Sequence, residues 1–367
     1  MKKAIAMLLS CGLIFSLTAC GGSGTASEAA PASEPAASES TAAEDAGEET
    51  AAPAEADADA VTFICAHTST ADSTKGVFVQ TMADWINENT TDLRMEVYPA
   101  GQLGSDTENA ESVVDNTIQM TLGATGNFVN SIPELAVFDT PFAFDNYEQI
   151  SNAFNDEEFK ASLDKALEAN GVTTVGLRLE GFRTLFSNVP VKSFEDVKGL
   201  QIRVMDSQNL INLWKCLGAS PTTVAYTELY TALQQGVVQA QENTSISTLT
   251  NYNLFEVTKY ATVTKHNYTC DFFIANLDWY NSLTDQQKQE IADGFAYAKS
   301  TENSPEQNEE ETHEKFKADS GYEVYAFTDE DIEKCREATQ SVREDIQKQV
   351  SPEIYQAYMD VIEKYKN

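Results

Sequence analysis

Basic residues are scarce in this 367-residue chain: 24 Lys+Arg stand against 58 Asp+Glu, for a formal charge of −34. Gripping a phosphate backbone needs a basic surface, so nucleic-acid binding is excluded. Histidine occurs only as His67, His266 and His313, far apart and without an HExxH pattern, so spacing suggests no metal site. Neither GxxxxGK[ST], GxGxxG nor GxSxG is present, which removes the recognisable phosphate loops and the nucleophile elbow. Carboxylate pairs are so common in this acidic chain that none of them points to acid–base hydrolysis. None of the six cysteines is in CxxC spacing. The four in the body, Cys65, Cys216, Cys270 and Cys335, are even in number and permit disulfides, but a body of about 300 residues does not need them, and free thiols are expected. Beyond the first twenty residues no apolar run is long enough to cross a bilayer. What the chain does have is 42% hydrophobic and 10% aromatic residues, enough for one large or two medium cores.

The first twenty residues place Lys2 and Lys3 before an apolar run from Ala4 to Leu17, too short for a mature membrane span and built like an export signal. It ends in Leu17-Thr18-Ala19-Cys20, followed by Gly21, which resembles a bacterial lipobox. The resemblance implies that Cys20 is acylated and becomes the mature N-terminus. From Gly21 to Ala60 the chain holds 15 Ala and 10 Asp+Glu with no Lys, Arg or aromatic residue. Such a segment cannot bury enough surface to offset ordering entropy. It reads as a disordered acidic tether, kept extended by repulsion from a negative lipid surface, with folded protein from Val61 to Asn367.

That body alternates strand and helix patterns. Val61 to Ala66 reads as a strand, Asp72 to Asn87 as a helix, Leu93 to Val97 as a strand, Ser105-Asp106-Thr107-Glu108 as a capping box opening a helix, and Ile118 to Leu122 as the next strand. This order predicts a mainly parallel sheet flanked by helices, an α/β fold. Val172 to Leu179, Leu200 to Val204 and Val237 to Gln241 are further strands. Thr284-Asp285-Gln286-Gln287 opens a long polar helix running to about Asp319, on which His313 is read as facing solvent.

Arginine carries the clearest chemical signal. Of six in the body, Arg178, Arg183 and Arg203 fall in the central third among apolar and small residues. Alternation in Leu200-Gln201-Ile202-Arg203-Val204 sets Arg203 opposite the apolar face, near the carboxyl end of its strand, where open α/β sheets form their ligand crevice. Arg183 follows another strand, just past Gly181. Two guanidinium forks across a cleft make a carboxylate clamp, whereas Arg178 reads as a structural ion-pair residue.

At these residues the chain resembles a known family. Tyr98-Pro99-Ala100-Gly101-Gln102-Leu103-Gly104, then Phe194-Glu195-Asp196-Val197-Lys198-Gly199-Leu200-Gln201-Ile202-Arg203-Val204, then Glu228 to Val238 and Glu242-Asn243 are similar to successive signatures of DctP-type solute-binding proteins of TRAP transporters, in the right order across the body. The resemblance implies a non-enzymatic extracytoplasmic receptor, lipid-anchored here and without a cofactor. It implies a periplasmic-binding-protein-like fold whose two domains are joined by hinge strands and a long helix: domain I about 61–180 plus 269–306, domain II about 181–268 plus 307–367. Its ligand is a small carboxylate or sugar acid, passed to TRAP permease subunits, and a monomer is expected. Arg203 and Arg183 correspond to the clamp, Asn243 to an amide on the same end of the ligand, and Tyr226 to an aromatic wall or a core residue. His67 falls in the first loop, as a ligand contact or as plain packing. Asp106 and Asn127 fall in stretches that select the far end of the ligand. The chain departs from the pattern at Gln239-Ala240-Gln241, and Asp206, beside the clamp, suggests a ligand with hydroxyl groups. An ABC-transporter-type receptor is the nearer alternative. A surface hydrolase is the further one, for which no activated nucleophile is visible.

Overall fold

The computed structural model describes residues 59–318 and 321–366. The expected signal, lipidated Cys20 and the tether as far as Ala58 lie outside the described residues. Ten strands form one sheet: β1 (Val61–Ala66), β2 (Leu93–Tyr98), β3 (Met120–Ala124), β4 (Val172–Ser187), β5 (Gln201–Val204), β6 (Ser220–Thr223), β7 (Ala240–Thr244), β8 (Tyr260–Val263), β9 (Tyr268–Asn276) and β10 (Glu323–Ala326). Their order is β2-β1-β3-β9-β4-β7-β5-β6, with β8 pairing both β4 and β10.

The expected parallel pairing holds within each half of the sheet: β1 runs with β2 and β3, and β5 runs with β6 and β7. Between the halves it does not hold. β9 brings the chain back into the first half and lies antiparallel to β3 and β4, while β4 lies antiparallel to β7 and β8. β4 was expected to end at Leu179 but runs for 16 residues, roughly 50 Å at about 3.3 Å per residue, long enough to thread both halves. It passes Gly181 by a register shift, with that glycine at φ +139°, where a Cβ would lie 2.9 Å from the Tyr147 hydroxyl. β4 and β9 are thus the hinge strands of the two-domain fold.

Local sequence explains the rest. Ser105 and Glu108 form the expected capping box, as do Thr284 and Gln287. Phe194–Val197 is a single 3-10 turn ended by Gly199 at φ +79°, delivering the chain into β5. The polar helix expected as one run is two, Asp285–Ser300 and Pro305–Ala318. A proline at the head of the second lacks an N–H and crowds the carbonyl four residues back, so the first cannot continue. β7 begins three residues later than expected, because Val237 and Val238 close the turn after the helix Leu229–Gln234: both N–H groups reach Ala232 O, and Val238 packs against Leu229 and Leu233.

Two apolar clusters cover the two faces of the first half of the sheet. One joins Phe63, Phe78, Met82, Phe273 and Phe295, and the other joins Phe128, Phe138, Phe159 and Phe272. A third, around Ile202, Leu213 and Trp214, fills the second half. The last helix, Pro352–Lys364, departs from the expected partition. Its Ile354, Tyr358 and Val361 belong to the cluster of Phe138, and Tyr358 packs edge-on at 5.5 Å from that ring. Helix Gln340–Gln349, with Val342 and Ile346, stays with the second half. The cysteines Cys65, Cys216, Cys270 and Cys335 are free thiols.

Candidate functional site

Where the two halves face one another, a narrow cleft is lined by Thr68, Ser69, Lys75, Asp106, Ala124 and Asn127 from the first half. Glu180, Arg183 and Thr269 lie at the crossing strands, and Arg203, Met205, Tyr226, Asn243 and Ser247 line the second half. Six of the seven residues expected as ligand contacts line this one cleft, and His67 does not.

Arg203 is the third residue of β5, set beside Gln241 of β7 and Thr222 of β6. Only 3% exposed, it donates from Nε to the Val224 carbonyl at 2.8 Å and stands 5.7 Å from the centre of the Tyr226 ring. No carboxylate pairs with it among the described residues. Burial lowers the pKa of its guanidinium, so the fold holds this charge at a cost. Tyr226 in turn accepts a hydrogen bond from Asn243 Nδ2 at 3.1 Å, which joins arginine, aromatic wall and amide in one constellation.

Arg183 lines the same cleft, but its fork is engaged. Its Nε pairs with Glu242 Oε2, and its terminal nitrogens donate to Thr269 Oγ1 and to the Glu242 carbonyl, each at 2.6 Å. The same Glu242 oxygen lies 3.0 Å from His266 Nε2, whose Nδ1 is 2.7 Å from Thr264 Oγ1. Burial alone would raise Glu242, yet Arg183 and His266 hold its carboxyl at about 2. Burial keeps His266 neutral, so Nε2–H donates to the carboxylate and Nδ1 accepts from Thr264. Of the two clamp arginines expected, Arg203 has an unanswered fork and Arg183 braces the wall behind it.

Asp106, the first residue of helix Asp106–Val114, accepts from Thr68 Oγ1 at 2.8 Å and Asn127 Nδ2 at 3.0 Å, so two of the far-end candidates contact each other. His67 is fully buried beside the cleft. Neither ring nitrogen meets hydrogen-bond geometry, although the Ser69 backbone lies near enough to favour the charged ring. Burial, with the Lys75 charge, pushes it down to about 4. Asp206 does not enter the cleft: it is exposed and accepts from Asn130 Nδ2 at 3.3 Å, so it offers nothing to a ligand hydroxyl. His313, read as facing solvent, is half-buried with Nε2 2.8 Å from Ser245 Oγ.

Arg178 is the structural residue expected. It pairs with Glu180 at 3.2 Å, Asp271 at 2.9 Å and Glu302 at 2.7 Å. Asp271 also holds Lys75 at 2.7 Å. Lys75 and Glu180 went unread in the sequence. The available signal was that Lys75 is the only basic residue between Val61 and Asp92 of a very acidic chain. Tyr252 donates to the Thr68 carbonyl at 2.5 Å and Asn251 Oδ1 accepts from Thr70 N at 2.9 Å, so the halves also touch beside the cleft.

Two α/β halves sharing long crossing strands, with a buried arginine lining a polar cleft between them, define the class of extracytoplasmic solute-binding receptors. The profile described as "Bacterial extracellular solute-binding protein, family 7" (DctP) matches residues 65–349, and the chain belongs to that family. It is 26% identical to the C4-dicarboxylate-binding protein DctB of Bacillus subtilis over 276 residues, covering 74% of this chain and 78% of the relative. To the C4-dicarboxylate-binding periplasmic protein DctP of Rhodobacter capsulatus it is 34% identical over 190 residues, 52% of this chain and 56% of that one. The crystal structure of the sugar acid binding protein DctPAm from Advenella mimigardefordensis, in complex with galactonate, superposes with a TM-score of 0.76 at 26% identity, covering 84% of this chain and all of the other.

Proposed function

We propose that this chain is the receptor of a TRAP-type transporter, taking a small organic acid into the cleft with its carboxylate on Arg203 and handing it to a membrane permease. One observation carries the reading: a buried guanidinium, without an ion-pair partner among the described residues, lines a polar cleft between the halves. Asn243 orients the carboxylate, Tyr226 walls it, and Arg183 holds the strand frame. At −34 the whole chain repels an anion. Screening over about 8 Å confines that field, while inside the cleft a close, poorly hydrated fork acts almost unscreened. The lobes divide at the crossing strands near 180/181 and 268/269, with the helix Pro352–Lys364 returning to the first lobe. Acylated Cys20 and the acidic segment 21–60 tether a monomeric body to the outer face of the cell membrane.

A thermal-shift screen of mono- and dicarboxylates and sugar acids tests the receptor reading. An acid at about 100 times its Kd stabilises the fold by about 2.7 kcal/mol. A screen in which no acid moves the transition contradicts it. Separately, Cys20→Ala is expected to abolish processing at that bond or release the protein from membranes. A variant still cleaved there and still membrane-bound contradicts the anchor.

A further inference from the structure

Five charged side chains line the cleft, namely Lys75, Asp106, Glu180, Arg183 and Arg203. Three are answered from within the protein: Lys75 by Asp271, Glu180 by Arg178, and Arg183 by Glu242. Two are left over, and they are of opposite sign. Arg203, on β5 of the second half, makes one hydrogen bond to a backbone carbonyl, and Asp106, on the helix Asp106–Val114 of the first half, is bonded only by neutral donors. Both line the same cleft, from opposite halves of the sheet.

Resting on the receptor reading above, we propose that the cleft is built for a monocarboxylate bearing hydroxyl groups, with the carboxylate on Arg203 and a hydroxyl donating to Asp106, and that it selects against dicarboxylates. Asp106 Oδ1 accepts from Thr68 and Oδ2 from Asn127, which leaves each oxygen of an ionised carboxylate one further lone pair. A ligand hydroxyl completes that set. A second ligand carboxylate would instead meet a like charge at close range beside a buried carboxylate. Burial already raises the Asp106 carboxyl, and a second carboxylate beside it would raise it further. The charge of Lys75 is already shared among Asp271, at 2.7 Å, Glu180 and Asp106. The remaining polar lining, Ser69, Asn127, Asn243, Ser247 and Thr269, consists of hydroxyls and amides that both donate and accept. That suits hydroxyl groups better than an ammonium, which only donates.

Calorimetric titration of the full chain with two panels decides the matter: aldonates and uronates on one side, succinate, fumarate and 2-oxoglutarate on the other, with γ-aminobutyrate as the zwitterion. The best hydroxy acid is expected to bind at least about tenfold more tightly than any dicarboxylate, and Asp106→Asn, which keeps the shape and drops the charge, is expected to narrow that gap about tenfold. A dicarboxylate that binds wild-type protein as tightly as any hydroxy acid, and still depends on Arg203, overturns the ligand class while leaving the receptor reading standing. Preference for γ-aminobutyrate over every hydroxy acid also overturns it. Silence from all three overturns both readings together. The wild-type ranking alone decides the class even where Asp106→Asn misfolds.

Discussion

Arg178 and Arg203 are 25 positions apart and equally hidden, at 2% and 3% exposed, yet the protein treats them in opposite ways. Behind the cleft, Arg178 meets three carboxylates within 3.2 Å and rests 5.6 Å from the Phe78 ring. On the cleft wall, Arg203 has a carbonyl and an aromatic face and, among the described residues, no ion-pair partner. Burying a charge costs several kcal/mol unless something compensates it. At Arg178 the fold compensates the charge with its own acids. At Arg203 it leaves the compensation to come from outside. Burial alone therefore does not mark a functional arginine here. The missing partner does.

The comparison breaks most severely at Arg178. Arg178→Leu leaves Glu180, Asp271 and Glu302 buried or half-buried around an empty centre, and removal of one partner from such a cluster costs about 3–5 kcal/mol. Denaturant unfolding is the check, and a loss under about 1 kcal/mol would mean that water screens the cluster after all.

Acid attacks the braced side of the cleft next. Glu242 is held at about 2, below its ordinary 4.5, so its contribution is complete above pH 4.5 and fades as pH falls toward 2. By linkage that amounts to about 3 kcal/mol. His67, pushed down to about 4 from 6.5, adds a loss of the same sign, since the unfolded chain takes up its proton first as pH falls from 6.5 toward 4. Buried carboxyls raised by desolvation, Asp139 at about 6 among them, offset part of this above pH 4, so melting temperatures are expected to fall most between pH 4.5 and 2.5, and Glu242→Gln is expected to flatten that part of the curve. An unchanged slope in this variant would remove Glu242 from the account.

Much of this was legible in the chain, and the gaps have physical causes. Period-two alternation placed Arg203 on β5, and the capping residues marked two helix starts, because these signals are local. Arg183 was read as half of the clamp because its position is right. What neutralises it, Glu242, lies 59 residues away and meets it only through antiparallel pairing of β4 with β7. Lys75 escaped for the same reason, since its partner Asp271 lies on β9, and Glu180 because Thr244 and Ser247, which also hold it, come from β7 and the helix after it. Asp206 misled because adjacency to Arg203 in sequence does not give adjacency in the cleft: successive residues leave a strand end in different directions. The break at Pro305 was the one local sign overlooked, and it is what places Glu302 against Arg178.

The central claim is that Arg203 is left uncompensated in order to bind a carboxylate, and calorimetric titration of Arg203→Lys tests it most directly. The substitution keeps a positive charge and loses the planar fork, so affinity for the acid giving the largest thermal stabilisation is expected to drop at least about tenfold, or about 1.4 kcal/mol, while the unfolding transition of the unliganded protein stays within about 1 kcal/mol of wild type. An affinity within about twofold of wild type would contradict the claim and return Arg203 to the same standing as Arg178, a charge that serves only the fold.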